Sequence, residues 1–244
     1  MIPKVIHYCW FGGKPLPKKA QKCIESWKKY LPDYEIRRWD ESNFDVNIIP
    51  YTQEAYAKGK YAFVSDYARF WIIYNQGGVY FDTDVEVINP LESIIENGPF
   101  LGVECQDTTQ ITINPGLGFA AESGMNAIKD IMELYRQFHF VNEDGSICYK
   151  NIVEITSEYL SLKGLVNIDS IQECAGFTIY PVDYFCPVSF EKRQLCVTAN
   201  TRTIHHFAES WVPKPTRFKN AIGRLLGQNF LQTLVRIKRI LKSR

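Results

Sequence analysis

The chain of 244 residues carries a formal net charge of +1, with 45% hydrophobic and 23% charged side chains. These proportions fit one globular core with an appendage and exclude disorder, collagen and coiled coil over the bulk of the chain. The charge is uneven: residues 212–244 hold nine Lys/Arg and no acidic residue, leaving 19 basic against 27 acidic side chains elsewhere.

Residues 5–10 are short, apolar and preceded by proline, which predicts a first strand; Gly12, Gly13, Pro15 and Pro17 mark the turn after it. Ala20, Cys23, Ile24, Trp27 and Leu31 recur at helical spacing, so 18–31 is a helix, closed by Pro32-Asp33, and 34–39 is a second strand. Strand, helix, strand implies a right-handed crossover in a largely parallel sheet. The helix predicted over 62–74 is apolar nearly all round and therefore buried, is interrupted by Asp66 and Arg69 on one face, and stops at Gly77-Gly78. A strand over 79–81 runs into Asp82-Thr83-Asp84 and continues over 85–88; 100–104 is another. Residues 114–118 read as a turn and 127–138 as a helix. Between 148 and 203 the pattern is hard to read, with strand candidates at 178–185 and 201–207. After Pro213 and Pro215 two apolar stripes, from Phe218 to Leu225 and from Phe230 to Leu241, slip phase near Gly227. They predict a kinked amphipathic helix with a basic polar face. The expected organisation is a globular domain over 1–212 and a basic tail over 213–244.

No uncharged run reaches the roughly 18 residues of a spanning helix, and Met1-Ile2-Pro3-Lys4 does not open a secretory signal. The seven cysteines are odd in number and form no C-x-x-C pair, which predicts a reducing, cytoplasmic setting. The tail lacks the fold context of a nucleic-acid reader, and its apolar stripes point to an anionic membrane surface instead.

Asp82-x-Asp84 is the first candidate for chemistry. Two carboxylates at i and i+2 can hold a hard divalent cation such as Mn²⁺ or Mg²⁺, which takes oxygen ligands and bridges phosphates. The pair alone is weak: eleven aspartates in the chain yield about half such a pair by chance, and a solvated turn explains it equally. Context adds weight, because Asp66 and Arg69 lie inside a buried helix, where a charge needs a partner or a purpose. Trp10, at the end of the first strand, faces the ligand crevice of an α/β sheet or belongs to the core. His205 or His206, late in the chain, can complete a carboxylate pair around a metal.

These residues resemble glycosyltransferase family 32. Ile2-Pro3-Lys4-Val5-Ile6-His7-Tyr8-Cys9-Trp10 is similar to the family's opening. Ser65-Asp66-Tyr67-Ala68-Arg69-Phe70, followed by Gly77-Gly78-Val79-Tyr80-Phe81-Asp82-Thr83-Asp84, is similar to its S-D-x-x-R … G-G-x-Y-x-D-x-D signature, and His205 with Ser210-Trp211 is similar to its late block. The resemblance implies a GT-A fold: an α/β, Rossmann-like domain with a single mixed sheet, here with a C-terminal helical tail. It implies a retaining hexosyltransferase with a divalent metal and a nucleotide-sugar donor, a uridine-diphosphate sugar rather than guanosine-diphosphate mannose. Catalytic roles fall to Asp66, Arg69, Asp82 and Asp84. Donor contacts fall to Trp10 by stacking, and to Tyr8, Asp66, Arg69, Asp82, Asn114, Ser210 and Trp211. Metal ligation falls to Asp84, Asp82 and His205, with His206 an alternative in register. The expected setting is surface-polysaccharide synthesis on a glycan or lipid-linked acceptor, the enzyme peripheral on the inner membrane face through 217–244. A nucleotide-sugar hydrolase and a non-catalytic subunit of a polysaccharide assembly complex are the alternatives.

Overall fold

In the computed structural model, which describes residues 1–107, 109–187 and 194–208, the first strand is β1 (Val5–Cys9). Helix α1 (Lys18–Tyr30) follows, burying Ala20, Cys23 and Trp27 and placing Lys28 and Lys29 in its last turn, where they face the negative end of the helix dipole. Strand β2 (Glu35–Trp39) returns parallel to β1, from Val5 opposite Glu35 to Cys9 opposite Trp39. Helix α2 (Pro50–Ala57), opened by a proline that needs no N–H partner there, has no counterpart in the sequence reading. Helix α3 (Tyr61–Gln76) is buried over most of its length and ends on Gly77, whose φ of 65° is readily adopted by glycine.

Strand β3 (Gly78–Tyr80) pairs parallel to the other edge of β1. The chain does not continue straight, as expected, from there to residue 88. Val85 N–H bonds to Asp82 O at 3.1 Å, and this turn sends β4 (Val85–Val87) out of the main sheet. Helix α4 (Glu92–Glu96), β5 (Phe100–Gln106) and β6 (Ile111–Ile113) come next. A single 3₁₀ turn (Pro115–Leu117) leads to β7 (Phe119–Ala121) and α5 (Asn126–Tyr135). Helix α6 (Ile152–Leu162) opens on a capping box: Asn151 Oδ1 accepts from the N–H of Val153 and Glu154, and Glu154 accepts from Asn151 N–H. Strands β8 (Gln172–Cys174) and β9 (Phe177–Tyr180), helix α7 (Val182–Phe185) and β10 (Thr203–His205) complete the described residues. The strand expected over 178–185 stops at Tyr180 because Pro181 cannot donate to a sheet ladder and opens α7 instead.

The main sheet runs β2-β1-β3-β7-β5-β9-β8, with β6 paired to β5. It is mixed rather than largely parallel: β7 lies antiparallel between β3 and β5, and β8 is antiparallel to β9. A separate two-stranded sheet joins β4 to β10. Helix α3 lies against β1, β3 and β7 with α2, α5 and α6 around it, while α1 lies against β4. Much of the aromatic content is core: Tyr51, Tyr67, Tyr135, Phe70, Phe119 and Phe140 are fully buried, with Tyr51 edge-on to Tyr135 at 5.1 Å. Met1–His206 form one compact unit. The tail predicted over 213–244, Ser210 and Trp211 lie outside the described residues. Among the described residues no helix is long and apolar enough to cross a membrane.

His7 carries a pH-dependent part of the stability. Its ring is fully buried, Nδ1 accepts from Trp39 Nε1 at 3.0 Å, and Nε2 donates to Gly77 O at 3.0 Å. That pairing fixes the neutral ring, and burial pushes its pKa down to about 4. The unfolded chain takes up a proton near pH 6.5 and the folded chain only near 4, so stability is lost as pH falls through that window. The loss amounts to about 3 kcal/mol for this group, at about 1.4 kcal/mol per unit. Urea titrations of wild type and His7→Gln at pH 4 and pH 7 should show this difference as a weaker pH dependence in the variant. Parallel pH dependences would remove His7 as its source.

Candidate active site

The two glycines after α3 turn the chain at once into β3, so a helix face and a strand end share one small region. Gly78 has no alternative, because a Cβ there would lie 2.6 Å from Val5 O at a φ of 107°. Within this region Arg69, 3% exposed, is the hub. Its Nη2 bonds to Asp66 Oδ1 at 3.0 Å and lies 3.2 Å from Asp82 Oδ1. Nε donates to Ser65 O at 3.1 Å, and the guanidinium lies over the Tyr80 ring at 5.0 Å. Tyr80 O–H donates to Asp82 Oδ1 at 3.1 Å. Burial pushes Asp66 up to about 6; Arg69 opposes the rise, Asp82 adds to it, and the Ile152 N–H opening α6 opposes it. Asp82 is raised for the same first reason, burial, with Arg69 countering it. Arg69 stays charged, since the facing carboxylates outweigh its desolvation.

Asp84, in the turn between β3 and β4, accepts from His205 Nε2 at 3.1 Å. Asp82, Asp84 and His205 each present a ligand atom, all within 4.8 Å of one another. Two carboxylate oxygens and an imidazole nitrogen suit Mn²⁺, and the residues present fit such an ion. Burial disfavours the imidazolium of His205, but its hydrogen bond to Asp84 and the charges of Asp84, Asp82 and Glu104 raise its pKa overall. The pairing of β10 with β4 decides the histidine register. His205 stands opposite Val85 and turns inward, while His206 turns the other way onto Glu86 Oε2 at 2.7 Å. Trp27 holds this arm in place by donating Nε1–H to Val85 O at 2.8 Å.

The 3₁₀ turn backs the first carboxylate. Asp82 N–H bonds to Gly116 O at 3.1 Å, and a Cβ on Gly116 would collide with Asp82 Oδ2. Asn114 Oδ1 accepts from Gly116 N–H at 2.7 Å, and Asn114 Nδ2 donates to Glu104 Oε1 at 2.8 Å. Gly116 and Glu104 carry no functional signal in the sequence: the Gly/Pro turn around Gly116 signals conformation only, and Glu104 reads as the end of a strand. Tyr80 is the tyrosine of the G-G-x-Y-x-D-x-D pattern, but its bond to Asp82 is not legible there.

The structure thus brings together Asp66, Arg69, Asp82, Asp84, Asn114 and His205. Trp10 lies just past the end of β1, half-buried, with Nε1–H donated to Lys14 O at 2.6 Å. Tyr8 is buried on the β1 face opposite His7 and Cys9, its ring edge-on to Trp27 at 5.8 Å. Neither contacts the carboxylate cluster through a hydrogen bond or ion pair among the described residues.

The family described as a glycosyltransferase sugar-binding region containing the DXD motif matches residues 17–101. Inositol phosphoceramide mannosyltransferase 1 of Schizosaccharomyces pombe is 27% identical over 111 residues, covering 41% of this chain and 33% of that protein. An uncharacterised glycosyltransferase of Acanthamoeba polyphaga mimivirus is 34% identical over 109 residues, covering 42% of this chain and 41% of its own length. The matched part therefore spans less than half of either relative. Among solved structures, a glycosyltransferase involved in the glycosylation of the major capsid of PBCV-1 superposes with a TM-score of 0.51 at 14% identity, over 89% of this chain and 98% of that one. That likeness concerns the fold alone. Residues 17–101 thus match a glycosyltransferase sugar-binding region containing the DXD motif, and the described residues adopt an α/β fold of the GT-A type.

Proposed function

We propose that the protein is a retaining, metal-dependent glycosyltransferase that moves a sugar from a nucleotide-sugar donor to a glycan or lipid-linked acceptor in surface-polysaccharide synthesis. The observation that carries this reading is the convergence of Asp82, Asp84 and His205 beside the buried Arg69. Asp84, His205 and Asp82 would hold Mn²⁺ or Mg²⁺, which supplies charge neutralisation to the departing diphosphate. Arg69 is fixed by Asp66 and Asp82 before substrate arrives, so its charge stabilises the transition state without reorganisation. Asp66 and Asp82 accept hydrogen bonds from sugar or ribose hydroxyls, Asn114 contacts the sugar, and Trp10 and Tyr8 serve the base end of the donor. Ser210 and Trp211 close on the diphosphate. A same-face, front-side displacement is the mechanism we adopt for this retaining transfer.

The donor we favour is a uridine-diphosphate sugar. The named mannosyltransferase among the relatives makes guanosine-diphosphate mannose the competitor to include, and the ceramide in its name supports a lipid-linked acceptor. The test is a nucleotide-sugar panel with Mn²⁺, reading nucleoside diphosphate release with and without acceptor. Release that depends on acceptor supports transfer. Equal release in its absence would make the protein a hydrolase.

The basic tail completes the proposal. Residues 217–244 carry eight Lys/Arg and no acidic residue, interleaved with the two apolar stripes. Each basic residue at an anionic leaflet contributes about 1 kcal/mol, enough together to hold the enzyme on the inner membrane face where a lipid-linked acceptor lies. Full-length protein should co-sediment with anionic vesicles, less so at high salt, and protein truncated after Pro215 should stay in the supernatant. Equal recovery of both in the supernatant would sink the anchor.

A further inference from the structure

The site's carboxylates are not equally available. Asp66 is bonded to Arg69, both oxygens of Asp82 lie against Arg69 with Tyr80 on one of them, and Asp84 pairs with His205. Glu104, on β5, stands apart from them. Its Oε1 is held by Asn114 Nδ2 at 2.8 Å, and Oε2 makes no hydrogen bond or ion pair among the described residues. It is nonetheless part of the same constellation. Asn114 bonds to Gly116, Gly116 lies flat under Asp82, and Glu104 feels the charges of both Asp82 and His205.

We propose that Glu104 accepts the hydrogen bond of the entering acceptor hydroxyl, with Asn114 fixing which carboxylate oxygen faces the substrate. The proposal rests on the sugar-transferase reading above. Transfer needs a group that aims the acceptor oxygen at the anomeric carbon and receives its proton. The bond from that carbon to the diphosphate breaks with its electron pair leaving on phosphate. The acceptor C–O bond forms, and the hydroxyl proton passes to Oε2 and then to solvent. Asp66 and Asp82 are held by Arg69 and Asp84 by His205, whereas Oε2 of Glu104 makes no such bond among the described residues and is the carboxylate oxygen left to meet an acceptor. Burial raises the pKa of Glu104 above the ordinary carboxylate value, with Asn114 and His205 opposing the rise, so it takes a proton more readily than an exposed glutamate.

Glu104→Gln is a sharp test because Asn114 dictates its orientation. Asn114 Nδ2 needs an acceptor, so the new carbonyl oxygen takes the place of Oε1 and the amide NH₂ takes the place of Oε2. A hydrogen-bond acceptor thereby becomes a donor with no change of shape. With the donor identified by the nucleotide-sugar panel and octyl β-D-glycosides as acceptors, E104Q should lose at least about a hundredfold in transfer. Calorimetric affinity for uridine diphosphate with Mn²⁺ should stay within twofold of wild type, as should the melting temperature within a few degrees. Transfer within threefold of wild type overturns the proposal, and so does a parallel loss of nucleotide affinity, which would place Glu104 on the donor side. Should E104Q not fold, Glu104→Ala is assayed with and without formate. Recovery with formate supports the role, and activity that formate leaves unchanged overturns it. A wild-type protein that turns over no nucleotide sugar sinks the transferase reading itself, whereas wild-type turnover beside an unimpaired E104Q sinks only the role of Glu104.

Discussion

Replacing Asp84 with asparagine is expected to lower sugar-transfer turnover by about a hundredfold to a thousandfold, the scale on which preorganised electrostatic stabilisation is lost, while the chain stays folded. The side chain sits in the β3–β4 turn and meets His205 Nε2 at 3.1 Å. The structural part of the residue is its backbone: the Asp84 carbonyl accepts the His206 N–H at 3.0 Å, and asparagine keeps that bond. What asparagine removes is a full negative charge from a three-ligand cluster, and a neutral amide oxygen is a poor ligand for a divalent ion. Mn²⁺ titration should therefore show weakened binding, and turnover at saturating Mn²⁺ should remain low. Turnover within threefold of wild type, in a variant of unchanged melting temperature, would remove Asp84 from the metal site.

Arg69→Met should cost about 3–5 kcal/mol of stability at neutral pH, because removing one partner of a buried ion pair leaves uncompensated charge behind. Asp66 and Asp82 would then face each other without a cation between them. Both carboxylates already sit above their ordinary pKa with Arg69 present. Without it they rise further, so the folded variant holds protons that the unfolded chain has released. The sign follows: the penalty is smallest below the ordinary aspartate range, where both states are protonated, and grows as pH rises through the range in which only the folded carboxylates keep their protons. Urea titrations at pH 4 and pH 7 would show it. The double variant with Asp66→Asn should recover part of the loss, which a double-mutant cycle measures. A cost below about 1 kcal/mol at pH 7 would mean that water reaches the cluster and that the bridge is of the surface kind.

The local rules served best where one element meets one signal. The helix over 62–74 and its glycine stop were legible because a wholly apolar helix with two charges on one face has few alternatives, and α3 extends it by only a turn's fraction at each end. The Asn151-x-x-Glu154 capping box marks the start of α6 in plain sight, but the flanking polar segments hide the apolar period behind it. Strand β7 and the antiparallel half of the sheet left no local trace, since Phe119-Ala120-Ala121 is three residues long and its pairing is set by β3 and β5, far away in sequence.

The order of residues along the chain is enough to put Asp66 and Arg69 on one buried helical face, to set Asp82-x-Asp84 at a strand end, and to show their resemblance to a sugar-transferase signature. Short-range geometry suffices for that, because helix and strand periods are local. Long-range packing is what makes Arg69 bridge Asp66 to Asp82, pairs β10 with β4 so that His205 turns inward and His206 outward, and joins Glu104 to the cluster through Asn114. Each of these depends on strand pairing between segments distant in the chain. A one-residue change of register there would reverse which histidine faces the carboxylates.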